Sequence, residues 1–516
     1  MSWDCAAIQS GFCFTPDSSL QTPPMLGKEQ ILGINLIQDP VHGYIPFCSA
    51  EAGEPGEVSE RDLIDSPWVQ RLRQIHQLQT AWWIFPSAEH SRFQHVLGVM
   101  HLASRMIEKL YPSLCDAGRK LGEAVPSLPC VEAMMRIAAL LHDVGHGPFG
   151  HFFDEHFLKR FSIPAPDGKS SVTMTHETLG AEIIRRKLGD MIRKVRRTPN
   201  GRLVDGEILD PDQIAWLIVR PNEMADRQAD CPRWLHLLRA LFCGLYTVDN
   251  MDFVLRDAFM SGYSSHSFDI DRLILYSFFT EKGLTIHQRG VAALTRFITV
   301  RAELFRVVYY HRTVRAIDLA LKEAFRQSGD LMFPGNPLER LDDYLYFTDW
   351  SLLVDVVRWN ESDDPRKQDI APLWRDIVFR KTTWHLVIER TILFQVGAKE
   401  QSSVFSNEAI LETAIRCELP EHYRNIDIRI DIPRHAQRPG AHLPSANLNF
   451  LYDPASEQVR RLEEEELFRD IPQSYRICRI YASEETVNTP AMKMALVNAF
   501  DRLTSQGRPA DDATNM

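Results

Sequence analysis

The sequence predicts a mainly α-helical fold that ends in a smaller α+β region. Apolar residues recur at helical spacing over 90–111, and the run over 131–141 is almost wholly apolar. Alternation of polar and apolar residues is clearest over 425–454. Because a period near 3.6 indicates helices and a period of 2 indicates strands, helices should dominate the first two thirds of the chain.

The N-terminal part of the sequence predicts a hairpin, a helical stretch and a turn before the long helix. The run ILGINLIQDPVHGYIPF over 31–47 contains Asp39-Pro40 and Gly43, and predicts a short strand or hairpin. Apolar residues at helical spacing follow over 62–78, then a short apolar turn over 82–85 that Pro86 ends. The chain therefore leads into the long helix at 90–111 through a short turn.

Later elements include both helices and strands. We expect a loop over 160–175, and helices over 176–188, 235–259 and 290–326. The C-terminal region should contain strands within 425–454 and over 476–482, with a charged helix near 463–466. These elements predict four segments: a flexible arm (1–28), a helical core (29–330), an α+β region (331–504) and a flexible tail (505–516).

Composition restricts the class of protein. The chain has 516 residues and a formal net charge of -11, which disfavours nucleic acid as a partner. None of its nine cysteines forms a C-x-x-C pair, and we expect reduced thiols in a cytoplasmic protein. No secretory signal or membrane-spanning stretch is predicted.

The densest group of chemically active residues is HDVGHGPFGHFFD, over 142–154. Imidazole and carboxylate together suit borderline divalent ions, but His142 and Asp143 alone cannot fill a coordination sphere. His95, in SRFQHVLGV, and Asp249, in YTVDNMDFVLRD, both fall within predicted apolar helices, where a metal would satisfy them. Taken singly, His95 could equally be a core residue and Asp249 a helix cap.

The order His, His-Asp, Asp is the ligand order of the HD superfamily, and the chain resembles its deoxynucleoside triphosphate triphosphohydrolases. The branch with the animal SAM-and-HD-domain enzyme is the most similar, although no SAM domain is expected before the core. The resemblance covers roughly 31–325 and rests on seven motifs: DPVHG (39–43), DSPWVQRLRQIHQL (65–78), FPSAEHSRFQHVLGV (85–99), HDVGHGPFGHFFD (142–154), THE (175–177), DNMDFVLRD (249–257) and RAELFRVVYYHRTVRAID (301–318).

The resemblance implies a metal-dependent active site. His95, His142, Asp143 and Asp249 would hold one divalent metal (Mn, Fe, Zn, Co or Ni), with Mg accompanying the nucleotide triphosphate. Members cleave a deoxynucleoside triphosphate to the deoxynucleoside and triphosphate, with an activated water acting at the α-phosphorus.

The resemblance also implies roles for further side chains. His151 would be the general acid, oriented by Asp154, while His146 and His176 contact the phosphates and Glu177 supports them. The implied substrate contacts are phosphate-binding Arg92 and Arg301, sugar-binding Gln77 and Asp257, Leu78 against a ribose 2′-hydroxyl, and Tyr309 beneath the sugar.

Several positions depart from the family pattern. Asn250 stands where a phosphate-binding Lys is expected, and Phe253 replaces a Tyr. A regulatory nucleotide site is implied by Asp65, Gln70 and Arg73, and with it a homo-oligomer (dimer or tetramer), although Asn35 replaces another phosphate-binding Lys and Asp65 could simply be a helix cap.

Two other hypotheses remain open at the level of sequence. One is an HD phosphatase or phosphodiesterase that acts on another nucleotide, which the changes at Asn250 and Phe253 would allow. The other is a catalytically idle nucleotide-binding sensor. The presence of all four metal ligands, His151 and Asp154 disfavours the sensor.

Overall fold

A computed structural model describes most of the chain. The described residues are 33–50, 53–164, 171–220, 231–264, 267–381, 383–394, 404–436, 449–462 and 474–506. The predicted arm (1–28), the predicted helix at 463–466 and residues 507–516 of the predicted tail lie outside them.

The described chain opens with a hairpin, as expected over 31–47. Strand β1 (Ile34–Asp39) pairs antiparallel with β2 (Gly43–Cys48), and Asp39 lies opposite Gly43 across the turn. Gly43 has a φ of +75°, a left-handed conformation that glycine adopts without steric cost. Two short helices, α1 (Glu60–Ile64) and α2 (Pro67–Gln70), then lead towards the core.

The long helix predicted at 90–111 is α3 (Arg92–Lys120), which packs against α4 (Leu128–Leu141). Nearly every residue of α4 is buried, as its composition predicts. The next helices are α5 (His151–His156), α6 (His176–Ile183), α7 (Gly189–Ile192), α8 (Pro211–Ile218), α9 (Arg233–Cys243), α10 (Val248–Met260), α11 (Ile270–Leu275), α12 (Val291–Leu304) and α13 (Arg312–Met332).

Four predicted elements differ in the structure. The helix expected over 235–259 is two helices, because the chain breaks after Cys243 and Thr247 caps α10 by accepting from the amide of Asn250. The helices expected over 176–188 and 290–326 each contain a π-helical turn, Ile184–Leu188 and Phe305–Tyr309 respectively. The loop expected over 160–175 contains two short paired strands, β3 (Ser162–Pro164) and β4 (Ser171–Thr173).

The remaining elements form the C-terminal region and small sheets. The helices are α14 (Leu341–Tyr344), α15 (Asp349–Val357), α16 (Pro365–Val378), α17 (Glu408–Glu418), α18 (Glu484–Asn488) and α19 (Pro490–Gln506). The strands are β5 (Arg197–Thr198), β6 (Gly201–Arg202), β7 (Ser277–Thr280), β8 (Gly283–His287), β9 (His385–Phe394), β10 (Ile428–Asp431), β11 (Arg434–Ala436), β12 (Asn449–Asp453), β13 (Gln458–Arg461) and β14 (Ser474–Ala482).

Two four-stranded sheets connect these parts. In one, β14 pairs antiparallel with β9, β10 and β11. In the other, β12 pairs with β8 in parallel, so a strand of the C-terminal region extends the β7–β8 hairpin of the helical part. The fold is therefore mainly helical with its larger sheets formed late in the chain, and the predicted fold class is confirmed.

The described residues have two hydrophobic clusters. The larger extends from Ile45 to Trp384, with Leu451, Leu462 and Tyr481 added from the C-terminal region. The smaller lies between the β9–β14 sheet and helices α17 and α19. The domain boundaries given above remain predictions. Among the described residues, none of the helices combines the length and apolar character that a bilayer crossing requires.

Candidate active site

The HD segment leaves the end of α4 as a tight loop. α4 ends at Leu141, and the chain turns through His142–Gly150 before α5 begins at His151. Phe149 and Gly150 both have positive φ angles, +60° and +53°, a conformation that is costly for a bulky residue and needs support from its surroundings. The loop therefore packs several histidines into a small volume at the cost of local strain.

Three predicted metal ligands come together at the start of this loop. Ligand atoms of His95 on α3, His142 on the loop and Asp249 on α10 all lie within 4.8 Å of one another. The Nε2 atom of His95 is 3.1 Å from Oδ1 of Asp249, and the Nε2 atom of His142 is 3.8 Å from the same oxygen.

The other ring nitrogens of these histidines are already engaged. Nδ1 of His95 lies 2.7 Å from Oδ2 of Asp252, and Nδ1 of His142 lies 2.7 Å from the carbonyl oxygen of Ala139. Both rings are thereby oriented with Nε2 towards Asp249. Nε2 of His142 is buried and has no hydrogen-bond partner in the described part of the chain. An unpaired imidazole nitrogen beside carboxylates fits a bound divalent cation.

Asp143, the fourth predicted ligand, lies at the edge of this group. Its Oδ1 is 3.4 Å from Nε2 of His142, and its Oδ2 is 3.9 Å from Nε2 of His95. Oδ2 also accepts a 2.6 Å hydrogen bond from Nη1 of Arg92. A buried arginine thus shares this carboxylate with the candidate metal position.

The electrostatics of this group favour a cation between the carboxylates. Burial by itself would lower the pKa of His95, but its hydrogen bonds with Asp249 and Asp252 raise it to about 10. Burial would raise the pKa of Asp249, yet its contacts with His142 and His95 hold it far below the usual range. Positive charge between the side chains is therefore stabilised, and metal binding would release the protons that otherwise supply it.

A second His and Asp group lies on the other side of Asp143. Ligand atoms of His146, His151, Asp154 and His176 all lie within 4.8 Å of one another. Nδ1 of His176 forms a very short contact with Oδ2 of Asp154, and Nδ1 of His151 is 3.4 Å from the same oxygen. The rings of His146 and His176 stack with their centres 3.7 Å apart.

Protonation differs within this second group. Burial lowers the pKa of His146 to about 3, helped by the positive charge of Arg92. Desolvation of its ring by the crowded neighbouring side chains lowers the pKa of His151, against the hydrogen bond with Asp154, and the charges of His176 and Arg92 act in the same downward direction. His176 differs, because Asp154 outweighs the effect of burial and raises its pKa. Asp154 is thus bonded chiefly to His176, and His151, whose side chain is 57% exposed, is the histidine available at the surface.

A cavity of about 780 Å³ opens beside His151 and Arg92. Its lining includes four of the predicted sugar-contacting residues, namely Gln77, Leu78, Asp257 and Tyr309. The hydroxyl of Tyr309 donates to Oδ2 of Asp257, while Nε2 of His90 lies 2.8 Å from Oδ1. The same lining contains Phe253, one of the departures from the family pattern.

Arg301, predicted to bind phosphate, is not in that lining. Its Nη1 donates a 2.9 Å hydrogen bond to the carbonyl oxygen of Leu245. Burial lowers its pKa to about 10, although Asp249 acts in the opposite direction. In this conformation the guanidinium is engaged by the main chain.

The predicted regulatory residues lie at a different cavity, of about 430 Å³. Asp65 and Arg73 line it together with Asn35. Gln70 is not among the lining residues; its side-chain amide donates to the carbonyl oxygen of Ile64 and its oxygen accepts from Arg73. The guanidinium of Arg73 stacks 3.6 Å above the ring centre of Phe93. This cavity is separate in its lining residues from the one beside His151.

Sequence reasoning missed a buried ion network behind His95. Asp252 contacts Nδ1 of His95, accepts from Arg256 at 2.9 Å and lies 2.6 Å from Nε2 of His42, while Arg256 also donates to Asp39. A side chain at Gly98 would overlap Asp252, so only glycine lets α3 approach this network. The signal was available, because Asp249, Asp252 and Arg256 are spaced on one face of a helix.

Sequence reasoning also missed the support beneath the HD loop. The buried guanidinium of Arg71 donates to the carbonyl oxygens of Val144 and His146 in the loop, and to those of Tyr344, Leu345 and Phe347 from the C-terminal region. The hydroxyl of Tyr344 donates to the carbonyl oxygen of Gly145. Main-chain contacts of this kind leave no pattern in the sequence.

Comparison with known proteins agrees with this arrangement. The HD domain model matches residues 92–228, the stretch that holds His95, His142 and the second His and Asp group. The chain is 22% identical to a hypothetical protein of known structure from Aquifex aeolicus, with a TM-score of 0.62 over 90% of this chain and 100% of that one. That likeness concerns the fold.

Relatives by sequence cover most of the chain. It is 26% identical to the uncharacterized protein YwfO of Bacillus subtilis, over 78% of this chain and 82% of that protein. It is 27% identical to the deoxynucleoside triphosphate triphosphohydrolase SAMHD1 of Bos taurus, over 77% of this chain and 66% of SAMHD1, and 26% identical to that of Homo sapiens, over 67% and 54%. The chain thus spans between about half and two thirds of the length of these SAMHD1 proteins.

The chain therefore carries an HD domain, a class of domain that binds divalent metals. It is a homologue of the SAMHD1 triphosphohydrolases, at about 26% identity over most of its length. Together with the clustered His and Asp side chains, these findings support a metal-dependent hydrolase.

Proposed function

We propose that this protein hydrolyses deoxynucleoside triphosphates to the deoxynucleoside and inorganic triphosphate. The observation that carries the proposal is the cavity beside His151. The lining of this cavity includes Arg92 and His151 together with Gln77, Leu78, Asp257 and Tyr309. A positive charge, a proton donor and side chains suited to contact a sugar therefore face the same space. The names of the SAMHD1 relatives give the same reaction for those proteins.

The phosphates would lie at the end of the cavity nearest Arg92. Nε of this buried arginine has no hydrogen-bond partner within the described residues, and a guanidinium matches the geometry of a phosphate. The candidate metal position, at His95, His142, Asp143 and Asp249, is next to Arg92, because the carboxylate of Asp143 contacts the guanidinium. A divalent cation bound there would supply Lewis acidity towards the phosphoryl oxygens.

The deoxyribose would lie further along the cavity, between Gln77, Leu78 and Tyr309. The carboxylate of Asp257, shared by Tyr309 and His90, is a hydrogen-bond acceptor for the 3′-hydroxyl. The buried oxygen of Gln77 has no partner in the described part of the chain and is an alternative acceptor for the same proton. Leu78 offers an apolar surface, which disfavours a ribose 2′-hydroxyl.

His151 would act as the general acid. Water attacks the α-phosphorus and loses one proton to solvent, the bond from phosphorus to the 5′-oxygen breaks, and that oxygen takes the proton of the imidazole. The imidazole regains a proton from solvent before the next turnover. Nδ1 of His151 faces Asp154, which leaves Nε2 for the substrate. Desolvation by the crowded neighbouring side chains and the nearby charges of His176 and Arg92 lower the pKa of His151 in the free protein, and the negative charge of a bound triphosphate would favour its protonated form.

A second candidate is hydrolysis of a different nucleotide. It is favoured by Phe253, which lines the cavity where a tyrosine hydroxyl would otherwise face the substrate. Both candidates use the same metal position and the same histidines, so only the products distinguish them.

The test is product analysis by phosphorus NMR and chromatography. Each dNTP and rNTP should be incubated with the protein and Mn²⁺ or Mg²⁺, singly and as an equimolar mixture in case an activating nucleotide is required. We expect deoxynucleoside and triphosphate, and no reaction with His142→Ala. Monophosphate or diphosphate would favour the second candidate, and no product under any condition would contradict both.

A further inference from the structure

The turn DPVHG (39–43) joins β1 to β2, and the described residues that line the cavity beside His151 include none from this turn. Its side chains lead to the candidate metal position instead. We propose that Asp252 is a positioning residue for the metal ligand His95, and that His42, from the turn, holds Asp252 in place. The turn would then contribute to metal affinity without contacting the ion or the substrate.

Both carboxylate oxygens of Asp252 are surrounded by donors. Oδ2 lies 2.7 Å from Nδ1 of His95 and accepts from Nε of Arg256 at 2.9 Å. Oδ1 lies 2.6 Å from Nε2 of His42 and accepts from Nη2 of Arg256 at 2.9 Å. A carboxylate that pairs with a buried arginine is ionised and can only accept hydrogen bonds. Each imidazole nitrogen that faces Asp252 must therefore carry a proton.

The proton on Nδ1 of His95 determines the state of its other ring nitrogen. Only one nitrogen of a neutral imidazole carries a proton, so Nε2, which lies 3.1 Å from Oδ1 of Asp249, has its lone pair free for an ion. Asp252 thus fixes the tautomer and the orientation of the ring, and its negative charge strengthens the imidazole as a ligand. His142 differs, because its Nδ1 faces the uncharged carbonyl oxygen of Ala139.

The turn supports this carboxylate through two of its side chains. His42 contacts Asp252 directly, while Oδ2 of Asp39 accepts from Nη1 of Arg256 at 2.7 Å. Oδ1 of Asp39 accepts from the backbone amides of Val41 and His42, at 2.9 Å each, which holds the turn in shape. The four charged or imidazole side chains of this network are between 0% and 6% exposed. Because water cannot replace a lost partner at such positions, removing one member leaves another unpaired.

Metal affinity tests the positioning role of Asp252. The full chain is freed of metal with a chelator and titrated with Co²⁺ in competition with a chelating dye, while visible absorption of the bound Co²⁺ reports its coordination. Asp252→Asn keeps the shape of the side chain and removes its charge. We expect it to raise the dissociation constant of the tightest Co²⁺ about 10- to 100-fold, the range typical of losing a partner that orients a ligand.

The matched control is Glu60→Gln, at another buried carboxylate attached to the same hairpin. Glu60 pairs with the buried guanidinium of Arg136 and accepts from the backbone amide of Cys48 on β2. Within the described residues, no hydrogen bond or ion pair joins Glu60 to a candidate metal ligand. Glu60→Gln should therefore retain the Co²⁺ affinity and the absorption spectrum of the wild type, even if its unfolding free energy falls.

His42 provides a second pair of variants. His42→Ala removes one donor to Asp252 and should weaken Co²⁺ binding, whereas His42→Gln keeps an N–H donor and should bind Co²⁺ more tightly than His42→Ala. Circular dichroism shows whether each variant is folded, and urea unfolding of the metal-free proteins measures its stability. If Asp252→Asn does not fold, the two His42 variants decide the question.

Wild-type affinity in folded Asp252→Asn would overturn the proposal, as would equal affinities of wild type and His42→Ala in its absence. An equal loss of affinity in Glu60→Gln would also overturn it, because a general loosening of the hairpin would then explain the effect. The titration concerns the metal position that the proposed function also uses, but it requires no turnover. A failure of the proposed hydrolysis would leave its result unchanged.

Discussion

The carboxylate of Asp349 accepts a 2.6 Å hydrogen bond from the backbone amide of Phe149, although 200 positions separate the two residues. The other oxygen of Asp349 accepts from the backbone amide of His76 at 2.8 Å and lies 2.9 Å from its ring nitrogen Nδ1. One buried side chain thus fixes both the HD loop, two residues before His151, and the segment that leads into Gln77. The strained φ of Phe149 is held by a residue outside the HD match.

Replacing Asp349 by alanine should therefore destabilise the protein. Two buried backbone amides would lose their acceptor, each at a cost of roughly 1–3 kcal/mol. Urea unfolding should show a lower free energy of unfolding for Asp349→Ala. Asp343→Ala, which removes an exposed carboxylate paired with Arg340, should change it by less than about 1 kcal/mol. Equal effects of the two substitutions would contradict a supporting role for Asp349.

His151→Ala should separate metal binding from turnover. His151 is not one of the three side chains that form the candidate metal position, His95, His142 and Asp249, so the ion at that position should stay bound. The hydrolysis rate should fall about 10²- to 10⁴-fold, the range typical of losing a general acid. Single-turnover kinetics and metal analysis on the same sample would check both. Full activity in this variant would show that another group supplies the proton.

His101 should make the protein less stable in mild acid. Burial lowers the pKa of its imidazole from 6.5 to about 4, and the charges of His42 and Arg105 act in the same direction. The unfolded chain therefore takes up a proton that the folded state resists as the pH falls from about 6.5 towards 4. Between pH 7.5 and 5, the wild type should lose about 1–2 kcal/mol more unfolding free energy than His101→Gln.

Urea unfolding at the two pH values measures this difference. His422→Gln serves as the matched control, because its exposed ring gives no reason for a similar effect. If His101→Gln and His422→Gln lose as much stability in acid as the wild type, the neutral state of His101 does not contribute.

Thiol labelling should distinguish the cysteines by burial. Cys417 is exposed, whereas burial raises the pKa of Cys48 and of Cys478 to about 12. Because the thiolate is the reactive form, Cys417→Ser should remove one fast equivalent in a native titration with a chromogenic disulfide. Cys48→Ala should remove none, and loss of a fast equivalent in that variant would show that the strand around Cys48 opens readily.

Much of the fold follows from the local spacing of polar and apolar residues, and the elements that the sequence did not predict lack such a signal. The helix expected over 90–111 and the strands expected over 425–454 and 476–482 are present, because their periodicity matches the surface that each buries. The interruption at Phe305–Tyr309 was not foreseen, since a π-helical turn adds a residue without a glycine or proline to mark it. The paired strands within 160–175 are too short to show alternation.

The candidate site likewise contains residues that the sequence predicts and partners that it does not. Residues adjacent in sequence, such as His142 with Asp143, could be recognised as a motif, and His95 and Asp249 by their positions in predicted apolar helices. The partners that orient them could not be assigned, because the contact between Asp252 and His95 depends on how α10 crosses α3. The same holds for the main-chain carbonyls bound by Arg71, since any residue offers a carbonyl.

The hydrogen bonds of Arg71 show that the loop of the HD stretch depends on residues outside that stretch. Residues 92–228 carry the recognisable domain, yet the guanidinium that holds their loop comes from before that stretch, and the carbonyl of Phe347 that helps to anchor it comes from after. Transplanting 92–228 into another helical scaffold would carry over the histidines and leave behind the hydrogen bonds that shape their loop. The geometry of the candidate site therefore depends on parts of the chain outside 92–228. An insertion near 344–349 would disturb that geometry without changing any side chain of the site.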